Sequence, residues 1–325
     1  MKNTAWIVNR TEPEYVSSYR YNAFIPAGEL DGLVLPFIYG DSAEHFLSQH
    51  ELDAIIICKP YLPELNPDEG CELISLAQAS RKKGIKVCFH ICDWHFDNPV
   101  YKTLTELADL VIVQTRYIAA AVEQHFGKVP AIIEEPFEGP RGKPRFKPRK
   151  KLKFVWYGHS ANLDTLSEGL RQLQSLKHLF KLTIVTNNVD LGVEYFNAAT
   201  KPDYLIERNI TSFSLETQWR EISGADIVLI PSFNRVDKQV KGHNRLVQSI
   251  QSGRLAITYP SPQYQELADY CYCCKDMTEG VLWALQNRVA VFQRLKSGQE
   301  YLDQRFSPAA IAERWKEEIS KLIEG

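Results

Sequence analysis

Apolar positions in this chain fall into two alternating patterns. Short, almost wholly apolar runs occur at Thr4–Asn9, Leu33–Ile38, Asp53–Cys58, Ile85–Ile91, Asp109–Gln114 and Ala131–Ile133. They return at Leu152–Tyr157, Leu182–Thr186, Asn209–Phe213, Asp226–Ile230, Leu255–Thr258 and Tyr270–Cys273. Between most of them apolar residues recur every three or four positions, as in TRYIAAAVEQHF, LSEGLRQLQSLKHLF and SLETQWREIS. The first pattern is that of strands buried on both faces, the second that of amphipathic helices. Their alternation predicts an α/β class with parallel sheets. One plan stated twice predicts two Rossmann-like domains facing across a cleft lined by strand carboxyl ends.

The break between the two halves is GPRGKPRFKPRKK, residues 139–151, with seven cations and no acid. Three prolines exclude a helix and predict an extended linker. The domains are therefore expected at 1–138 and 152–325, with a terminal helix over 307–323, FSPAAIAERWKEEISKL being its surroundings. A chain of 325 residues suits two cores better than one. Residues 1–138 carry 11 Lys+Arg against 20 Asp+Glu, whereas 152–325 carry 20 of each. The basic segment has two readings. It pairs with an acidic neighbouring domain, or it makes peripheral contact with an anionic membrane surface.

Ala225–Ile257, ADIVLIPSFNRVDKQVKGHNRLVQSIQSGRLAI, concentrates the candidate chemistry. A helix opening near Lys241 would put Lys241, Asn244, Arg245 and Gln248 on one face, opposite an apolar stripe of Leu246, Val247 and Ile250. Cations in a first helical turn oppose the macrodipole unless an anion lies between them and the free N–H groups. A phosphate at the carboxyl end of a parallel strand is such an anion. Lys241 and Arg245 are thus expected to hold a diphosphate. Arg235 and Lys238 are either further phosphate contacts or parts of a solvated loop, and His159 and Ser160 are candidate hydroxyl or backbone donors.

The first half holds one dense polar cluster, FHICDWHFDNP, with His90, Cys92, Asp93, His95 and Asp97. These are ligand types, but their spacing matches no metal motif, so no metal is expected; His90 reads as strand core. Seven cysteines without zinc-type spacing read as reduced, buried thiols. Hydrophobic residues at 44% and charged residues at 24% describe a globular chain. No apolar run approaches a membrane span and the N-terminus lacks a signal-peptide block, so a cytoplasmic protein is expected. No nucleic-acid partner is expected.

DIVLIPS, the basic loop, KGHNRLVQSIQSGRLAI and then PSPQYQEL together resemble the GT-B glycosyltransferases, and among them family four, the retaining enzymes that use nucleotide-sugar donors. ERNITSFSLETQWREISGADIVLIPS is similar to the part carrying the base-contacting loop. ADLVIVQTRYIAAAVEQHF with AIIEEPFE is similar to the last strands of the acceptor domain. SSYRYNAFIPAGEL resembles the first helix of the acceptor side, which makes Arg20 an acceptor candidate. YGHSANLDTL keeps the glycine of the family's first donor-domain loop at Gly158 but lacks its Arg and Lys. Gln248 stands where many members place the glutamate that holds the donor ribose. Lys241, Asn244 and Arg245 match a Lys-x-x-Asn-Arg variant of the helix start.

The resemblance implies transfer of a sugar from a nucleoside-diphosphate donor to a glycan, lipid or small-molecule acceptor, with no cofactor and with retention at the sugar. It aligns Asp93 with the Asp of a His-Asp pair near the transferred sugar, with His95 beside it as an acceptor candidate. Glu266 aligns with the glutamate after the final tight turn, although it can equally cap its own helix. Two alternatives stand beside transfer: a non-catalytic relative that binds glycan or nucleotide in an assembly, and an epimerase on the same fold. Metal-independent activity is expected, the diphosphate charge being met by Lys241, Arg245 and the helix start.

Overall fold

The computed structural model describes residues 1, 3–10, 12–13, 16–60, 71–148, 150–200 and 207–325. The chain divides into two compact units. Unit 1 is Met1–Phe137 with Val240–Gly242 and Arg305–Gly325, and unit 2 is Glu138–Gln239 with His243–Gln304.

Unit 1 is built on six parallel strands: β1 (Thr4–Val8), β2 (Leu33–Pro36), β3 (Ala54–Cys58), β4 (Lys86–Ile91), β5 (Leu110–Val113) and β6 (Ala131–Ile132), in the order β2-β1-β3-β4-β5-β6. β1, β3 and β4 are buried almost throughout, which is why their sequences run AWIV, AIIIC and KVCFHI without alternation. One face packs against helices Cys71–Lys82, Pro99–Leu107 and Arg116–Phe126, through residues such as Leu76, Tyr101 and Val122. The other face is closed by the last helix, Pro308–Glu324. Its Ile311, Trp315 and Ile319, spaced four apart, join the core there. The Trp315 ring meets Trp6 edge-on, centroids 5.8 Å apart. Buried Glu134, just after β6, ties the helix down by accepting from Arg305 and Arg314.

Unit 2 repeats the plan with β7 (Leu152–Tyr157), β8 (Phe180–Thr186), β9 (Glu207–Ser212), β10 (Ile227–Ile230), β11 (Leu255–Thr258) and β12 (Tyr272–Cys273), all parallel, in the order β12-β11-β10-β7-β8-β9. β9 is largely exposed, as its edge position allows.

The basic segment 139–151 is non-helical, as its prolines dictate, but it is a strap on unit 2 rather than a free linker; Arg149 lies outside the described residues. Phe146 enters the core, Gly142 N–H donates to Gln251 O at 2.9 Å, and Arg145 N–H donates to Gly253 O at 3.1 Å. Gly253 has φ +68°, and a side chain there would run into the Lys143 carbonyl. The prolines foretold the segment's extension but not its docking, which rests on Phe146, on backbone hydrogen bonds and on side-chain donors such as Gln299 Nε2 to Gly142 O at 2.7 Å and Arg254 Nη1 to Lys143 O at 3.0 Å. Among the described residues, no helix is long and apolar enough to cross a membrane.

His90 lies in β4, fully buried, its ring edge-on to Trp315 at 5.6 Å. Burial, helped by the Lys59 charge, lowers its pKa to about 3. The unfolded chain titrates near about 6.5, so above that pH the imidazole is neutral in both states. As pH falls, the unfolded chain binds a proton that the fold refuses, and stability declines by about 1.4 kcal/mol per pH unit. Denaturant unfolding at about pH 7 and about pH 5 should show a loss of about 2 kcal/mol in the parent and a clearly smaller one in His90→Phe. Equal losses in the two proteins would remove this assignment.

Candidate functional site

In unit 2 the connections leave β7 and β10 in opposite directions, so the crevice for a ligand opens at the carboxyl ends of these two strands. Gly158, His159 and Ser160 follow β7, and Pro231 and Ser232 follow β10. Beyond β10 come a short helix, Val236–Gln239, and then the helix Asn244–Gln251, which opens three residues after Lys241, near which it was expected. Val240 is buried in the core of unit 1 and Gly242 packs against the Glu135 and Gln114 side chains, so the chain turns there and becomes helical only afterwards. Lys241 therefore does not share a helix face with Arg245.

Arg245 lies in the first turn of the Asn244–Gln251 helix. Tyr157 Oη donates to its carbonyl at 2.7 Å, fixing the first helical turn against β7. Its Nη1 is buried with no hydrogen-bond partner among the described residues, and a Cβ on Gly158 would stand 3.7 Å from it. Asn244 Nδ2, Ser261 Oγ and Gln263 Oε1 are likewise buried without a partner among the described residues. Each such atom costs about 1–3 kcal/mol when left unmet.

Other expected contacts are already engaged. Gln248 is fully buried; its Oε1 accepts from Glu138 N–H at 3.1 Å, while its Nε2 has no hydrogen-bond partner among the described residues. Ser160 N–H donates to Asn187 Oδ1 at 2.8 Å, which removes it as a backbone donor for a ligand. His159 Nδ1 accepts from Ala161 N–H at 3.2 Å. Arg235 is exposed and forks onto Asp237 at 3.0 and 2.9 Å, with Asp164 at 3.4 Å. Lys238 is buried and donates to Asn162 Oδ1 at 2.7 Å, tying the β10 loop to the β7 loop. Glu266 follows the short Pro262–Gln265 helix, so it does not cap that helix's start; its Oε2 lies 3.6 Å from His243 Nε2.

In unit 1 the strand carboxyl ends bring together Lys59 after β3, Asp93 after β4, Gln114 after β5 and Glu135 after β6. Asp93 is ion-paired with Lys59 at 2.7 Å and with Lys241. Burial alone would raise the Asp93 carboxyl, but the two lysines override it and hold the group well below the usual carboxylate range. Glu135 Oε1 accepts from Asn22 Nδ2 at 3.2 Å and Gln114 Nε2 at 3.0 Å. Sequence reasoning singled out none of Lys59, Asn22, Gln114 and Glu135; only Lys59 and Gln114 carried a local signal, a polar residue directly after an apolar run. His95 is exposed, its ring 5.0 Å from Tyr101. Arg20 is buried in the Arg20–Phe24 helical segment, 5.8 Å from the Tyr21 ring. Among the described residues no group of three or more His, Cys, Asp or Glu is arranged to hold a metal.

Gly242 is the seat that presents Lys241. A Cβ there would lie 2.5 Å from Glu135 Oε2 and 2.7 Å from Gln114 Oε1. Gly242→Ala should therefore destabilise the protein by about 1–3 kcal/mol, the range for overpacking. It should also pull Lys241 off Asp93. Thermal unfolding together with the Lys241 ammonium shift in NMR reads both, and an unmoved Lys241 signal would refute the seat.

No protein-family model matches this sequence, and no curated protein matches it. Solved structures do match in fold. HepE of Anabaena, in complex with UDP and glucose, superposes with a TM-score of 0.78 at 12% identity, covering 98% of this chain and 100% of that one. An E. coli trehalose-6-phosphate structure bound with UDP-2-fluoro glucose gives 0.69 at 11% identity, covering 99% of each. A glycosyltransferase from Rickettsia africae gives 0.64 at 10% identity, covering 100% of this chain and 99% of that one. The α/β architecture of two Rossmann-like units is thus the GT-B fold.

Proposed function

We propose that this protein is a glycosyltransferase that takes a sugar from a nucleoside-diphosphate donor. The observation that carries the reading is Arg245 Nη1, buried beside Gly158 at the switch point of the unit 2 sheet without a partner among the described residues. A guanidinium held there meets the negative charge that grows on a departing diphosphate. The likeness in fold to structures holding UDP with glucose and UDP-2-fluoro glucose supports the same donor class.

In the step proposed, the bond between the anomeric carbon and the diphosphate oxygen breaks and a bond to the acceptor hydroxyl oxygen forms. The acceptor proton passes to the departing phosphate. Asp93 is a poor base for that proton, because Lys59 and Lys241 keep its carboxylate ionised far below neutral pH. This favours retention at the sugar, with Asp93 and its lysines as contacts for the sugar or acceptor hydroxyls. A second reading, a nucleotide-binding subunit without turnover, is favoured by the engaged Ser160 N–H, Arg235 and Lys238.

Calorimetry with UDP, GDP, ADP and TDP, followed by an assay of sugar release from the corresponding glucose donors, tests both. Binding with release supports transfer, binding without release the second reading, and no heat with any of the four sinks the proposal. Exposed Lys143, Lys147 and Lys150 of the strap support peripheral contact with an anionic surface. Absence of the protein from sedimented phosphatidylserine vesicles would remove that part.

A further inference from the structure

Three cysteines lie at the end of the unit 2 sheet, and two of them face each other. Cys271 Sγ and Cys273 Sγ are 3.5 Å apart, both as free thiols. Cys273 is the last residue of β12, opposite Thr258 of β11, whose Oγ1 lies 3.3 Å from its sulfur. Each thiol also holds a carbonyl of the turn above it. Cys271 S–H donates to Leu267 O at 3.4 Å and Cys273 S–H to Tyr264 O at 3.6 Å. Between those two carbonyls stands Glu266, the partner of His243.

We propose that Cys271 and Cys273 form a dithiol modification site whose oxidation to a disulfide releases the turn carrying Glu266. Cys273 is half-buried and is the attacking group, while Cys271, fully buried, resolves. When Cys273 ionises, the Cys271 S–H 3.5 Å away turns from Leu267 O to that sulfur and lowers the Cys273 thiol, and the Thr258 hydroxyl and the Arg294 guanidinium act in the same direction. Elsewhere burial pushes the Cys58, Cys88 and Cys92 thiols up, and Cys274 up to about 12, so these remain inert.

The co-reactant is a low-molecular-weight disulfide. Cys273 thiolate attacks one of its sulfurs, forming a mixed disulfide and expelling one thiolate. Cys271 then attacks the Cys273 sulfur as its proton leaves, the protein disulfide forms, and a second small thiol departs. The dithiol loses two electrons and two protons overall, and the small disulfide becomes two thiols. Closing the sulfurs from 3.5 Å to a bond of about 2.05 Å removes both S–H donors, so the Tyr264 and Leu267 carbonyls keep the backbone N–H groups of Leu267 and Tyr270 and lose their tie to β12.

The test treats the full chain with oxidised glutathione in a Cys71→Ser background, since Cys71 is an exposed thiol that would react on its own. Mass spectrometry should find the peptide holding Cys271 and Cys273 lighter by two hydrogens, restored by dithiothreitol. Hydrogen exchange over 262–268 should accelerate only in the oxidised form. Cys273→Ser should abolish the reaction, and Cys271→Ser should trap glutathione on Cys273. Glutathione retained on Cys273 of the parent, no reaction at the pair, or unchanged exchange after the disulfide forms would each overturn the proposal. The effect on ligand binding rests on the nucleotide reading above: UDP affinity should fall about tenfold on oxidation. A pair that oxidises and exchanges as expected, in a protein that binds no UDP in either form, would overturn the nucleotide reading alone.

Discussion

Arg245→Ala should weaken UDP binding by about 1.5–3 kcal/mol, the range for a hydrogen bond to a charged group. It should lower sugar transfer by ~10²–10³, because the guanidinium acts most strongly as charge develops on the leaving diphosphate. Its stability effect should be opposite in sense to that of an ordinary buried residue. Nη1 is already buried without a partner among the described residues, so removing it relieves an unmet donor. The backbone carbonyl that takes the Tyr157 hydrogen bond survives the substitution. An unfolding midpoint at or above that of the parent, beside a steep loss of UDP affinity, is therefore the expected pair of results. Arg245→Lys should restore little, since an ammonium lacks the planar fork that two phosphate oxygens accept. Unchanged UDP affinity in Arg245→Ala would remove the donor site from this crevice.

On the transfer reading proposed above, Asp93→Asn should leave UDP affinity nearly intact and lower turnover by ~10²-fold, on the scale of a lost positioning contact. Two lysines then face a neutral amide instead of a carboxylate. Breaking a fully buried pair costs about 3–5 kcal/mol; here about 2 kcal/mol is expected, because Lys59 and Lys241 keep part of their surface in water. The pH dependence fixes the cause. The folded-state pKa of Asp93 is depressed, so its contribution is complete above the ordinary carboxylate pKa of about 4 and is lost as pH falls from there toward the folded value. Urea unfolding below about pH 4 should thus be less pH-dependent in Asp93→Asn than in the parent. Parallel acid limbs would show that Lys59 and Lys241 do not hold this carboxylate. Lys241→Ala should follow the Asp93 pattern, with turnover falling more than UDP affinity, since Lys241 pairs with Asp93 rather than lying on the Arg245 helix.

The strands and their alternation with helices were legible in the sequence because burial on both faces forces nearly continuous apolar runs such as AIIIC and IVLI. All twelve runs became strands, with ends shifted by a few residues where a polar cap or a turn stops the ladder. The positions of Gly158 and Asp93 were legible too, since each follows a strand at its carboxyl end, a local property of chain order. The basic strap was visible as charge and proline, yet its docking depends on Phe146 finding a core made elsewhere.

Ion-pair partners were decided by tertiary structure alone. Nothing in KGHNRLVQS states that Lys241 belongs with Asp93, 148 positions away in the chain, or that Gly242 must fit against Glu135. Lys59 is anonymous in CKP until β3 and β4 pair and bring Cys58 beside His90. The same holds for Cys271 and Cys273, whose spacing says little until the Tyr264–Leu267 turn lies over them. Hydrophobic period is a short-range code, written in each segment's own residues. Which polar groups meet at the end of a sheet depends on strand order and register, which only the folded chain fixes.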